Sequence, residues 1–311
     1  MRLIKRPNKC KSISFLSTQN KFCYNIVAMK IALSAESTLD LSKELIKKYD
    51  VNVIPFTVLL GEEAYADGDI TGPQIFEYVD KTKVLPRTCA VNDYQYKEFF
   101  NGLLEKGYDA VIHISLSSEI SSSCSHAELA AKKLNNVYII DSKSLSTGIA
   151  LEVIYARKLI DKGLEPREIV DKVKARIPYV QASFVIQTLE YLHKGGRCSG
   201  LLRFGAAILR IKPQIIVSEG KMAPAKKYIG RKSQVVEAYC KDTLEQFANP
   251  DLSVAFVTHT HATPEMVAVA IEALKNRGFK TIYETTAGAT ITSHCGPQTL
   301  GILFINDGDQ E

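Results

Sequence analysis

The chain has 311 residues, 46% apolar and 23% charged, ordinary proportions for a globular protein, so disorder as its main state is excluded. No unbroken apolar run reaches the roughly 18 residues that a membrane-spanning helix needs, and no short repeat points to a coiled coil or collagen. The net charge of +5 is uneven: residues 1–28 carry six bases (Arg2, Lys5, Arg6, Lys9, Lys11 and Lys21) and no acid, and the other 33 of the 39 bases face 34 acids. The basic balance therefore belongs to the leader, and it is no argument for a nucleic-acid partner.

The acid-free, Ser-bearing leader overlaps in composition with organellar transit peptides, and it lacks the long apolar centre of a secretory signal. Met29 to Leu33 begins like a first buried strand, so residues 1–28 are expected to be a dispensable extension. Seven cysteines, an odd number with wide spacing and no C-x-x-C pair, suit a reducing compartment better than a disulfide framework or a zinc site.

From Lys30, short apolar runs alternate with amphipathic stretches. The pattern predicts strands at 31–33, 51–60, 110–114 and 137–140. Helices are predicted over 40–48, 71–81, 93–106, from the Ser-rich loop to 134, and over 145–162, with a further helix starting at Pro166. This order implies a parallel sheet with helices on both faces, an N-terminal α/β domain over 29–178. The rhythm then changes. Residues 211–218 and 221–229 read as strands around Glu219-Gly220, a hairpin signal. A helix over 233–247, a strand over 253–258, a helix over 264–276 and strands at 281–284 and 300–305 follow. A C-terminal α/β domain with an antiparallel element, 179–311, is expected.

Ordinary dinucleotide, nucleoside-triphosphate and α/β-hydrolase signatures are missing. Gly230-Arg231-Lys232-Ser233 resembles the tail of a phosphate loop, but Ala225 stands where its first glycine belongs. His259 and His261 follow a strand, where alternation would aim both imidazoles to one side. With His294 as a third ligand they define an alternative, a metal-assisted hydrolase. Seven of the eleven residues from Ser115 to Ser125 are serine, and they lie where a strand's C-terminal end passes into a helix. Ligands bind there in open α/β sheets, and the helix N-terminus favours an anion or carboxylate. Thr88, after Pro86-Arg87, is a second hydroxyl candidate. Residues 194–232 hold ten bases and one acid, Glu219. Gly195-Gly196-Arg197 there sets an arginine in a glycine turn, suited to an acidic or phosphorylated partner.

Several stretches resemble the DegV family. Glu36-Ser37-Thr38-Leu39-Asp40-Leu41 is similar to its D-S-T-x-D-L, with Glu for the first Asp. Pro86-Arg87-Thr88-Cys89 resembles P-x-T-S, and Ser117 to Ser121 resembles S-S-x-L-S. Asp141-Ser142-Lys143-Ser144 with Gly148 fits the next strand and helix. Leu189 to Arg197 is close to L-x-Y-L-x-K-G-G-R, Ile211-Lys212-Pro213 to I-K-P, and His294 to Pro297 to H-x-G-P. The resemblance spans about Lys30 to Asn306. It departs after Cys89, where Ala90-Val91-Asn92 replaces Q-P-S, and after Ser121, where Ser122-Ser123-Cys124 replaces G-T-Y. The lost glycine is expected to change the allowed backbone, and the lost tyrosine to alter the pocket wall.

The resemblance implies a two-domain α/β protein with a lipid site between its domains, holding one long-chain fatty acid and needing no cofactor. It implies a cytoplasmic carrier, itself not an enzyme, that presents the carboxyl group to a separate ATP-dependent fatty acid kinase subunit for conversion to acyl phosphate, with at most transient membrane contact. Thr88 and Ser121 would hold the carboxyl group. Arg197, Arg231 and His294 would face the carboxyl end or the kinase. A lipid-sensing module without a kinase is a further alternative.

Overall fold

The computed structural model describes residues 29–198 and 211–308. The leader, together with Arg203 and Arg210 of the basic stretch, lies outside the described residues. Two sheets organise the chain. In the N-terminal half β1 (Ile31–Glu36), β2 (Val51–Ile54), β6 (Ala110–Ser115) and β7 (Val137–Asp141) form a parallel sheet of order β2-β1-β6-β7. β3 (Thr57–Leu60), β4 (Glu63–Ala66) and β5 (Arg87–Cys89) form a small antiparallel sheet beside it, with β3 in the centre. The expected single extended run over 51–60 is split at Pro55, which has no N–H for a ladder.

The helix expected over 40–48 starts later than expected. Ser37–Leu39 forms one 3₁₀ turn, Asp40 takes a left-handed conformation at φ 53°, and α1 (Lys43–Lys48) starts afresh with Ser42 accepting from Leu45 N–H. The remaining helices of this half are α2 (Gly72–Thr82), α3 (Asp93–Glu105), α4 (Ser123–Ala131), α5 (Thr147–Asp161) and α6 (Pro166–Arg176).

In the C-terminal half β8 (Val180–Val185), β9 (Lys212–Ser218), β10 (Lys221–Tyr228), β11 (Val254–His259), β12 (Thr281–Thr286) and β13 (Leu300–Ile305) form a mixed sheet of order β10-β9-β8-β13-β11-β12. Only β11–β12 is parallel. The expected hairpin is present, and Glu219 and Gly220 both take positive φ, as a two-residue turn matching strand twist requires. Helices α8 (Lys232–Gln246) and α9 (Pro264–Arg277) cover one face. Two short helices, α7 (Glu190–Gly195) and α10 (Ala289–Cys295), lie among segments that the periodicity leaves unassigned.

α5 lies between the two sheets, packing on β1 and β6 of one and on β8, β11 and β13 of the other. Its apolar residues are buried on almost every side, so one continuous core joins the halves. Within that helix Glu152 is 1% exposed, and neither carboxylate oxygen has a hydrogen-bond partner. Burial pushes its carboxyl group well above the ordinary range, so the native state keeps a proton that the unfolded chain releases above about pH 4.5. Stability from this group is therefore lost as pH rises above that value. Glu152→Met is expected to stabilise the fold by about 1–3 kcal/mol at neutral pH, with a smaller gain near pH 4. Thermal melts across pH check this, and an equal gain at every pH would place the carboxyl group's effect elsewhere.

Candidate functional site

The Ser-rich loop from β6 to α4 is built from the sheet outward. Glu36 at the end of β1 is fully buried; its Oε1 accepts from Tyr96 Oη at 2.5 Å and Ser115 Oγ at 2.6 Å, and its Oε2 accepts from Leu116 N–H at 2.9 Å. His113 Nε2 lies 3.4 Å away. Burial alone would raise this carboxyl group, but His113 and the hydroxyl donors outweigh it and hold it at about 2. Glutamate in place of the family's aspartate is thus a satisfied anion that fixes the first residue of the loop.

Most of the serine run is consumed by protein contacts. Ser115 serves Glu36, Ser117 donates to Gly220 O at 2.8 Å across to the β9–β10 hairpin, Ser118 donates to Asp141, and Ser123 pairs with Tyr96 Oη. Ser121 Oγ accepts from Ser123 N–H at 3.2 Å, which leaves its hydroxyl proton for a ligand. Ser122, the family's glycine position, sits at φ −74°, ψ −3°. The expected backbone penalty is therefore absent, because any residue adopts that conformation. Cys124, the family's tyrosine position, is buried and does not line the cavity described next.

A cavity of about 450 Å³ opens between the halves. Phe56, Leu116, Ile120, Leu145, Met222 and Ile291 supply its apolar lining; Thr88, Ser118, Glu119, Ser121, Ser122, Thr290, Arg197 and His294 supply its polar lining. A smaller apolar space, lined by Phe184, Ala287 and Leu303, adjoins it behind Leu145, Ile291 and Cys295. Burial pushes the Cys295 thiol up to about 12, so that side chain stays neutral there.

Thr88 on β5 and His294 on α10 meet at 2.8 Å, Oγ1 to Nε2. Burial, with Arg197 nearby, pushes the imidazole down to about 4, so it is neutral at physiological pH. α7 ends against it: a Cβ on Gly195 would stand 2.8 Å from His294 Nδ1, and only glycine permits that approach. Arg197 then folds back to donate to Gly195 O at 2.7 Å.

α10 is held from the other half of the chain. Asp40 Oδ1 accepts from Gly288 N–H and Asp67 Oδ1 from Ala289 N–H, each at 2.7 Å. Asp67 Oδ2 accepts from Ser37 Oγ, which itself accepts from Phe56 N–H. Burial raises the Asp40 carboxyl to about 8, with neighbouring Asp67 adding to the rise. Sequence reasoning missed this clamp. Asp40 stands in the S-T-x-D-L stretch, but no spacing signals its partner 248 residues away.

Thr88, Ser121, Arg197 and His294 are therefore brought together, and Arg231 is not. Arg231 precedes α8 on the surface, its backbone N–H donating to Gln234 Oε1, and it lines neither cavity. The three histidines of the hydrolase alternative have separate settings. His259 faces Glu284 at 3.3 Å and accepts from Ala262 N–H. His261 lies past the strand end at φ 54°, against Gly72 and the Phe76 ring, so strand alternation does not govern it. Among the described residues no three His, Cys, Asp or Glu side chains are grouped to hold a metal ion.

On its outer side the Thr88–His294 pair borders a second cavity of about 320 Å³, which also reaches Arg87, Lys194 and Arg197. Among the described residues no helix is long and apolar enough to cross a membrane.

Comparison with known proteins agrees with this architecture. A fatty acid-binding protein of Thermotoga maritima is 27% identical over 282 residues, 88% of this chain and 96% of its own length. The structure of a fatty acid-binding DegV family protein from Thermus thermophilus superposes with a TM-score of 0.83 at 26% identity, covering 89% of this chain and all of that one. A stearic acid-binding protein from Eubacterium ventriosum gives a TM-score of 0.75 at 26% identity, over 89% of this chain and 98% of its own. The family model described as uncharacterised protein, DegV family, matches residues 30–307; the chain belongs to the DegV family.

Proposed function

We propose that this protein binds one long-chain fatty acid in the cavity between its halves and, in the cytoplasm, presents the carboxyl group to an ATP-dependent kinase subunit that makes the acyl phosphate. The observation that carries this reading is the Thr88–His294 pair, which stands in a wall common to an apolar-walled cavity and an outer basic one. A carboxyl group held there would have its hydrocarbon in the first cavity and the basic second cavity next to it. The relatives named as binding fatty acids support the ligand class.

Burying about 14 methylenes at roughly 0.8 kcal/mol each gives a gross gain on the order of 11 kcal/mol, of which association and chain ordering take back much. That gain suffices for retention without an ion pair at the head group. With His294 Nε2–H donating to Thr88 Oγ1, the threonine proton is directed to the carboxylate, and the Ser121 hydroxyl supplies a second neutral donor. Arg197 in the polar lining and Arg231 on the surface then serve the docked kinase.

Thr88→Val and Ser121→Ala should each weaken fatty-acid binding about tenfold to a hundredfold, the worth of one hydrogen bond to a charged group, with the fold intact. Titration calorimetry on delipidated protein measures this, and unchanged affinity in both variants moves the carboxyl group elsewhere. Because His294 stays neutral down to about pH 4, affinity should be flat between about pH 6 and pH 7.5; a binding midpoint near 6.5 would contradict that setting.

Arg197→Ala and Arg231→Ala should purify with bound lipid yet support little acyl-phosphate formation when mixed with the kinase. Loss of lipid and product together would mean that these arginines shape the pocket. Lipid without product in the wild type as well would favour the sensing module.

A further inference from the structure

We propose that the outer cavity is a recognition site for the phosphoryl group of the acyl phosphate, and that Arg87 is its principal cation. This inference rests on the fatty-acid reading above and deepens it. In the transfer step a carboxylate oxygen attacks the terminal phosphorus of kinase-bound ATP, a new C(O)O–P bond forms, the bond to the ADP oxygen breaks, and ADP leaves. The product is a mixed anhydride carrying more negative charge than the carboxylate it replaces. Its acyl part remains in the inner cavity, and the added group extends from the carboxyl oxygen past Thr88 and His294. That direction leads into the outer cavity, because Thr88, Arg197 and His294 line both.

The outer cavity fits such a group. Its lining includes Arg87, Lys194 and Arg197 and no acid. Two of these cations are partly engaged: Lys194 Nζ holds Glu190 at 2.7 Å, and Arg197 donates to Gly195 O. Arg87 is exposed, and no hydrogen bond or ion pair joins its guanidinium to another described residue. It directly precedes Thr88 on β5, an edge strand of its sheet, and both residues line the outer cavity. The planar guanidinium fork matches phosphate oxygens two at a time. The P-x-T-S resemblance leaves position 87 unspecified, so the assignment concerns this chain in particular.

The test compares two probes on delipidated protein: palmitic acid, and the β-ketophosphonate analogue of palmitoyl phosphate in which a methylene replaces the anhydride oxygen. Wild type is expected to bind the phosphonate more tightly than palmitate, with a steeper salt dependence. Arg87→Ala is expected to lose about tenfold to a hundredfold in phosphonate affinity while binding palmitate within about twofold of wild type, and Arg87→Lys to recover part of the loss. Equal losses for both probes would overturn the inference by making Arg87 part of the acyl site. No loss for either would overturn the inference by showing that Arg87 is not the principal cation for the phosphoryl group. Wild type that binds neither probe would overturn the fatty-acid reading and this inference with it, whereas normal palmitate binding with indifferent phosphonate binding would overturn this inference alone.

Discussion

The placement of the Thr88–His294 pair depends on two carboxyl groups set on one helix end. The first turn of α10 has backbone N–H groups with no partner inside the helix, and Asp40 and Asp67 accept two of them from across the interface between halves. His294 lies in the last turn of that helix, so fixing its start also fixes the imidazole that meets Thr88. The clamp is linked to the opposite wall as well. Ser37 bonds both Asp67 and the backbone of Phe56, one residue ahead of β3, and β3 pairs with the strand that carries Thr88. Burial raises the Asp40 carboxyl, and the neighbouring Asp67 adds a smaller rise. At neutral pH the clamp keeps a proton, which lowers the charge it brings into the interior.

The buried acids divide by what surrounds them. Glu36 receives two hydroxyls, one backbone N–H and a histidine, and stays ionised although no solvent reaches it. Glu152 receives nothing and keeps its proton. The same burial thus gives opposite charge states, decided by the donors that the fold supplies. The donors collect beneath the ligand cavity, where Glu36 also orders the start of the Ser-rich loop. The polar groups of this region work as one network: Ser123 supports Tyr96, Tyr96 supports Glu36, and Glu36 holds Leu116.

Much of the secondary structure was legible because its signals are local. Pro166 opens a helix, Glu219-Gly220 makes a hairpin, and the apolar runs at 110–114 and 300–305 are strands. The three-residue β5 and the seven-residue α10 were not, since neither is long enough to display a period, yet they carry Thr88 and His294. Thr88 was a hydroxyl candidate from its place after Pro86-Arg87, but its residue type alone favoured a loop hydroxyl, and only the resemblance gave it a ligand role. The serine run was visible as a candidate loop, but composition could not separate Ser121, which lines the cavity, from Ser117, which is spent on the hairpin. The basic stretch from Lys194 to Lys232 read as one feature. Folding divides it: Arg197 reaches the cavity wall, while Arg231 sits on the surface at the start of α8.

That division has a physical sense. A guanidinium sealed against the carboxylate inside the apolar cavity would have to be desolvated, at a cost that its attraction barely offsets. On the proposed reading the cavity would instead meet the carboxyl group with hydroxyls and a neutral imidazole, while Arg87, Lys194 and Arg197 stay exposed and hydrated. Retention then rests on hydrocarbon burial, which is indifferent to what happens at the other end of the molecule. The head group would be free to change its charge, and the exposed cations would respond to that change. On that reading apolar burial would grip the ligand and the exposed cations would sense its chemical state, and the Thr88–His294 pair stands in the wall common to the two cavities.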